Sequence, residues 1–302
     1  IGKFRIIPLN YGEYDLKKIF DYEEVAIETN TTSFKDYCDL RGLALFVESL
    51  INGRPYDELF SYAEQFGITR TKVIKSLQDN MEEAPIKVQN LYKEFMYETK
   101  DELWDSEEEL LNYYRNDENY LKLKRGEVGG NLIYKYKSKS LLTATSEWIQ
   151  FLEKQIFKLV NNQLNFYIET NELKKQLSNI TKFCNAKLDG LFELDTVQHN
   201  TIYDFDYDLI RWIDDGGDSP LSDWKLDYPV SYTLGYSENQ IGVRKDQLLR
   251  YGTSINQLSK MVTRISNLES QMRKVKTDNS LARDIYTTTK AGESFTRYTL
   301  SN

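Results

Sequence analysis

Glycine and proline supply only 15 and 5 of the 302 residues, roughly half their usual share. So few breakers favour long helices with few tight turns and argue against a strand sandwich. At about 150 residues per domain the length suits one large or two modest domains. With 40% hydrophobic and 28% charged residues the chain can bury a core. Its longest apolar run, Leu43 to Val47, falls far short of a membrane span, which needs roughly 20 residues. A net charge of −8 without a dense Lys/Arg block argues against a nucleic-acid or anionic-membrane partner.

The pattern along the chain predicts a mainly α, multi-helix fold with a few short strands at the N-terminus and in the last third. Three regions follow: a strand-rich segment over 1–32, a helical domain over 33–195, and a strand-and-helix region over 196–302. KFRIIP (3–8) and EEVAIET (23–29) are β-branched and aromatic, joined across a turn at Gly12. Ser33 with Asp36 marks the start of a helix that is apolar on nearly all sides and stops at Gly53, the expected centre of the core. Pro55 to Gly67, Thr69 to Glu83, Pro85 to Lys100 and the Ser106 capping signature give short helices. Trp148, Phe151, Leu152, Gln155, Ile156 and Leu159 form a long helical stripe, and a further helix covers about 165–189. Tyr203, Phe205, Tyr207 and Leu209 alternate with aspartates, which predicts a half-buried strand, and YPVSYTLGY predicts a second. Leu258, Met261, Ile265, Leu268, Met272 and Val275 hold an a/d spacing that predicts one heptad-like helix near 255–276, needing a partner helix. The tail ESFTRYTL suggests a last strand.

Chemistry-bearing residues are sparse. Two cysteines, Cys38 and Cys184, and one histidine, His199, make no zinc quartet, cluster triplet or paired nucleophile, and phosphate-binding glycine loops are missing. Asp204, Asp206 and Asp208 lack the glycine and glutamate of a calcium loop and read as a solvated strand face. The 22 tyrosines suit core and rim packing better than a stacking groove. Arg5 and Arg41 each sit inside an apolar segment, where a guanidinium needs a carboxylate or phosphate; a buried ion pair competes with a ligand clamp.

The N-terminal stretch FRIIPLNYGEYDLKKIFDYEEVAIETNTTSFKDYCDLRGLALFVESL resembles the segment that follows the catalytic barrel in cobalamin-domain-containing radical S-adenosylmethionine proteins, where FRxIPxxFGxY leads to EEVVxxTxTMSFEDYxxxRG. The likeness covers roughly residues 3 to 55 and continues more loosely through GNLIYKYKSKSLL and FDYDLIRWI. It implies a cytoplasmic fragment of a longer enzyme, whose missing N-terminal catalytic domain is its partner in the same polypeptide. The parent would hold a 4Fe-4S cluster and S-adenosylmethionine, extending to cobalamin; this fragment, lacking CxxxCxxC, would hold none of them and have no activity alone. Such a region covers the barrel and contributes substrate contacts, with Arg5, Tyr11, Tyr14 and Arg41 expected to face the barrel or the substrate. The rival expectation is a non-enzymatic helical interaction module that docks through the Leu258 to Val275 seam and the tyrosine-rich surface.

Overall fold

In the computed structural model, which describes residues 1–163, 170–193, 199–265 and 267–276, the chain opens on an antiparallel hairpin of β1 (Gly2–Tyr14) and β2 (Lys17–Ala26). The reversal is made by Asp15 and Leu16, both left-handed at φ 48° and 59°. Gly12 is a paired strand residue opposite Ile19, which corrects the expected turn. Two consecutive positive φ angles match the right-handed twist of the strands, as a two-residue hairpin requires. Residues 7–10 bulge out between the Ile6–Tyr22 and Tyr11–Phe20 pairs, with Leu9 at φ 67°. Phe4 and Trp104 exchange two backbone hydrogen bonds of 2.9 and 2.8 Å, which closes part of the outer edge of β1.

The helical body follows. Ser33 caps α1 (Phe34–Phe46) reciprocally with Asp36. The helix continues as a π turn over Val47–Ile51 and ends at Gly53, whose φ of 84° a side chain would resist. Contrary to expectation, α1 is one-sided: Cys38, Gly42, Leu45 and Phe46 are buried, whereas Leu40 is 59% exposed. An apolar sequence did not guarantee neighbours on every side. Then come α2 (Asp57–Glu64), α3 (Arg70–Asp79), α4 (Ile86–Asp101), α5 (Glu107–Arg115), α6 (Asp117–Arg125) and α7 (Leu132–Thr143). After a break at Ala144 follow α8 (Thr145–Gln163) and α9 (Thr170–Leu188). The α8 stripe is inward as predicted, with Trp148, Phe151, Leu152, Gln155 and Ile156 all buried.

A three-stranded antiparallel sheet ordered β3 (Thr201–Tyr207), β4 (Lys225–Gly235), β5 (Lys274–Lys276) lies against α9. Strand β3 stops at Tyr207, short of the Leu209 that its alternation suggested, because Asp208 accepts the Arg211 N–H and caps α10 (Leu209–Asp214). Its outer edge is satisfied by α9: Lys182 Nζ donates to the Asp204 carbonyl at 2.6 Å, and Asn179 Oδ1 accepts the Asp206 N–H at 2.8 Å. Helices α11 (Glu238–Tyr251) and α12 (Ile255–Val262) complete the described body.

The heptad-like helix near 255–276 is not formed. Leu258 and Met261 lie on α12, Leu268 in a 3-10 turn over Leu268–Gln271, and Val275 on β5. Leu258, Met261, Leu268 and Met272 are all buried in the main core, and α12 packs on α7. The apolar spacing was satisfied by three short elements turning into one core. That core runs from Phe46 to Met272, so the boundary near 195 divides the pattern of the sequence but not the packing; the Phe183 and Phe205 rings meet across it at 5.9 Å. A second cluster of Ile6, Phe20, Leu110, Tyr114, Tyr120 and Leu123 seats the hairpin on α5 and α6. Among the described residues no helix is long and apolar enough to cross a membrane. The strand expected in ESFTRYTL lies outside the described residues.

Candidate functional site

The two arginines singled out by sequence meet on one carboxylate. Glu102 is the C-cap residue of α4, where the helix dipole disfavours a negative charge. A carboxylate there needs a cation, and it has two: Arg5 Nη1 from β1 at 3.0 Å and Arg41 Nη2 from α1 at 3.3 Å, both on Oε1. Arg5 Nε also donates to Glu23 Oε1 on β2 at 2.6 Å. The arginine side chains are 23% and 17% exposed, and the Arg41 guanidinium lies 5.8 Å from the Phe95 ring centre.

Burial raises the Glu102 carboxyl above its ordinary range, although Arg5 and Arg41 pull the other way. For Arg5, burial works to lower the pKa, but Glu102 and Glu23 outweigh it and hold the cation more firmly. Tyr37, one turn before Arg41 on α1, is raised by burial despite both arginines. Neither Tyr37 nor Glu102 was singled out from the sequence. A glutamate closing a helix, and a tyrosine four residues before an arginine, are the signals that could have found them.

Tyr11 and Tyr14 do not join this cluster. The Tyr11 hydroxyl donates to the Leu123 carbonyl at 2.7 Å and its ring meets Tyr120 edge-on, within the cluster beneath the hairpin. Tyr14 stands 77% exposed near the hairpin turn. The ion pairs cannot be what seats the hairpin: partly exposed pairs give about 0–1 kcal/mol, whereas burying a side chain such as Ile6 or Phe20 gives roughly 1.5–3 kcal/mol. The arginines set orientation.

Other chemistry-bearing residues are occupied by structure. Asp204 accepts the Ser231 hydroxyl, Asp206 pairs with Asn179, and Asp208 caps α10 and accepts the Tyr232 hydroxyl at 2.7 Å. The three carboxylates diverge to separate partners, and among the described residues no group of three His, Cys, Asp or Glu side chains could hold a metal ion. His199 is exposed. Cys38 and Cys184 are buried on different helices, their thiols pushed up by burial, so they do not fit a cluster-binding set. Several tyrosines bury the ring and give the hydroxyl to a carboxylate or carbonyl, as Tyr136 does to Glu98 and Tyr207 to Glu172. A shallow cleft of about 470 Å³ between α8, α9 and β3 is lined by Ser146, Lys182, Asn185 and Asp189. Its lysine is already committed to the Asp204 carbonyl and the Phe205 ring face.

No family model matches this chain, and no curated protein or solved structure matches it.

Proposed function

We propose that this chain is the C-terminal accessory region of a radical S-adenosylmethionine enzyme of the cobalamin-domain type, packing over the catalytic barrel and contributing substrate contacts from β1, β2 and α1. The observation that carries the proposal is the division of the hairpin. Ile6, Tyr11 and Phe20 are seated on α5 and α6, while the bulge, the turn and the opposite strand face leave Leu9, Tyr14, Leu16 and Ile19 between 53% and 92% exposed. An apolar projection of that kind suits a covered surface, and the residues carrying the resemblance are the same hairpin and helix. Covering the barrel would exclude water from a radical intermediate. The cluster, S-adenosylmethionine and cobalamin would all belong to the preceding domain, because these residues supply no cluster ligands.

The rival, an interaction module, loses the Leu258 to Val275 seam, because those residues turn into the chain's own core, and keeps only the tyrosine-rich surface as a docking face. The test is hydrogen exchange on this chain alone and joined to the region encoded upstream of Ile1. The proposal expects CxxxCxxC upstream and slowed exchange over residues 9–19 in the longer polypeptide. An upstream region without that motif, or equal exchange in both, overturns it.

A further inference from the structure

Glu102 is a poor occupant for two guanidiniums. An Arg–carboxylate pair is strongest when two parallel N–H···O bonds of about 2.7–2.9 Å form. Here a single oxygen, Oε1, serves both arginines, and the Arg41 contact is stretched to 3.3 Å. In the same cluster, Arg41 Nε and the Tyr37 hydroxyl are both buried without a hydrogen-bond partner. They lie four residues apart on α1, so they share one face of the helix. Each would be satisfied by an acceptor with several oxygens. A buried donor left unmade is destabilising, so two such donors beside two incompletely used forks describe a site short of acceptors. The arginine side chains remain 23% and 17% exposed, so the guanidiniums are not sealed from solvent.

We propose that Arg5, Arg41 and Tyr37 form a binding site for an oxyanion, the carboxylate or phosphate group of a small molecule, with Glu102 holding the forks in its absence. Arg41 would give Nε and an Nη to two oxygens of the ligand, Tyr37 its hydroxyl to one of them, and Arg5 the Nη not engaged with Glu102. The Phe95 ring beneath Arg41 fixes the plane of the fork. This inference stands on the geometry of the cluster and holds whether or not the chain is an accessory region.

The test titrates the full chain with sodium phosphate and, separately, sodium acetate, against sodium chloride at matched ionic strength. The nitrogen-15 resonance of Arg41 Nε–H is followed. A saturable shift with either oxyanion and none with chloride is expected, and the salt that produces it assigns phosphate or carboxylate. Arg41→Lys keeps the charge but loses the fork and should weaken binding at least about tenfold, read by the thermal shift that the oxyanion produces. Tyr37→Phe, which removes one hydroxyl and keeps the ring, should weaken it several-fold and carries the test if Arg41→Lys does not fold. A response equal to that of chloride, or one left unchanged by Tyr37→Phe and by a folded Arg41→Lys, overturns the site.

Discussion

Lys187 donates to both oxygens of Glu58, at 2.6 and 2.7 Å, and neither side chain is more than 8% exposed. The pair joins the end of α9 to the start of α2, and the Cys184 thiol donates to the same carboxylate at 3.4 Å. Burial works against the charge on Lys187, but Glu58 outweighs it and raises the lysine. Removing one partner strands the other charge inside the protein, whereas removing both leaves an apolar contact.

Lys187→Met should therefore destabilise the fold by about 3–5 kcal/mol. The double variant Lys187→Met, Glu58→Leu should be clearly more stable than that single variant. Urea melts of the single and double variants measure this directly. If the double variant loses the sum of the two single losses, Glu58 and Lys187 are not coupled.

Helix α1 predicts a contrast along one element. Phe46 is fully buried, against Tyr92 and Trp148, so Phe46→Ala should cost about 3–5 kcal/mol. Leu40, at 59% exposure, should tolerate alanine within about 0.5 kcal/mol. Comparable losses at both positions would mean that the helix is enclosed all round.

Glu83 accepts from Lys154 and Lys158 on α8, and their hydrogen bonds pull its carboxyl from 4.5 down to about 2. A depressed acid stabilises the fold above its unfolded pKa, and that contribution is lost as pH falls through the folded value. Thermal melts between pH 5 and pH 2 should therefore drop more steeply for the native chain than for Glu83→Gln. Because the groups face solvent, the difference should shrink in high salt. Parallel curves at low salt would show that the pairs contribute nothing.

Arg5→Ala removes the bonds to Glu23 and Glu102 but leaves Ile6 and Phe20 in place. Faster hydrogen exchange is expected across β1 and β2, with little change in α8 and a global loss of about 1 kcal/mol or less. Uniformly faster exchange, α8 included, would make the arginine a determinant of the whole fold.

The local elements were largely written in the sequence. Ser33 with Asp36, Thr69 and Ser106 mark helix starts through side chains that bond the first free N–H groups, and these caps appear where expected. The α8 stripe and the alternation of β3 follow from the periods of helix and strand, which need no knowledge of neighbours. Arg5 and Arg41 were legible as cations needing acids, because an apolar segment cannot hold an unpaired guanidinium. Which acid answers them was not legible. Glu102 lies 97 residues from Arg5 and 61 from Arg41, and only the packing of β1, α1 and α4 brings the three together. The same holds for Lys187 and Glu58, although Lys187 continues the buried spacing of Leu173, Leu177, Ile180 and Cys184 and so was a lysine out of place. Heptad spacing from Leu258 to Val275 misled for a related reason. A sequence period states which residues seek burial, but whether one helix or three short elements buries them depends on what already lines the core. Local hydrogen bonding is decided within a few residues; ion pairing and burial are decided by surfaces that exist only after the chain has folded.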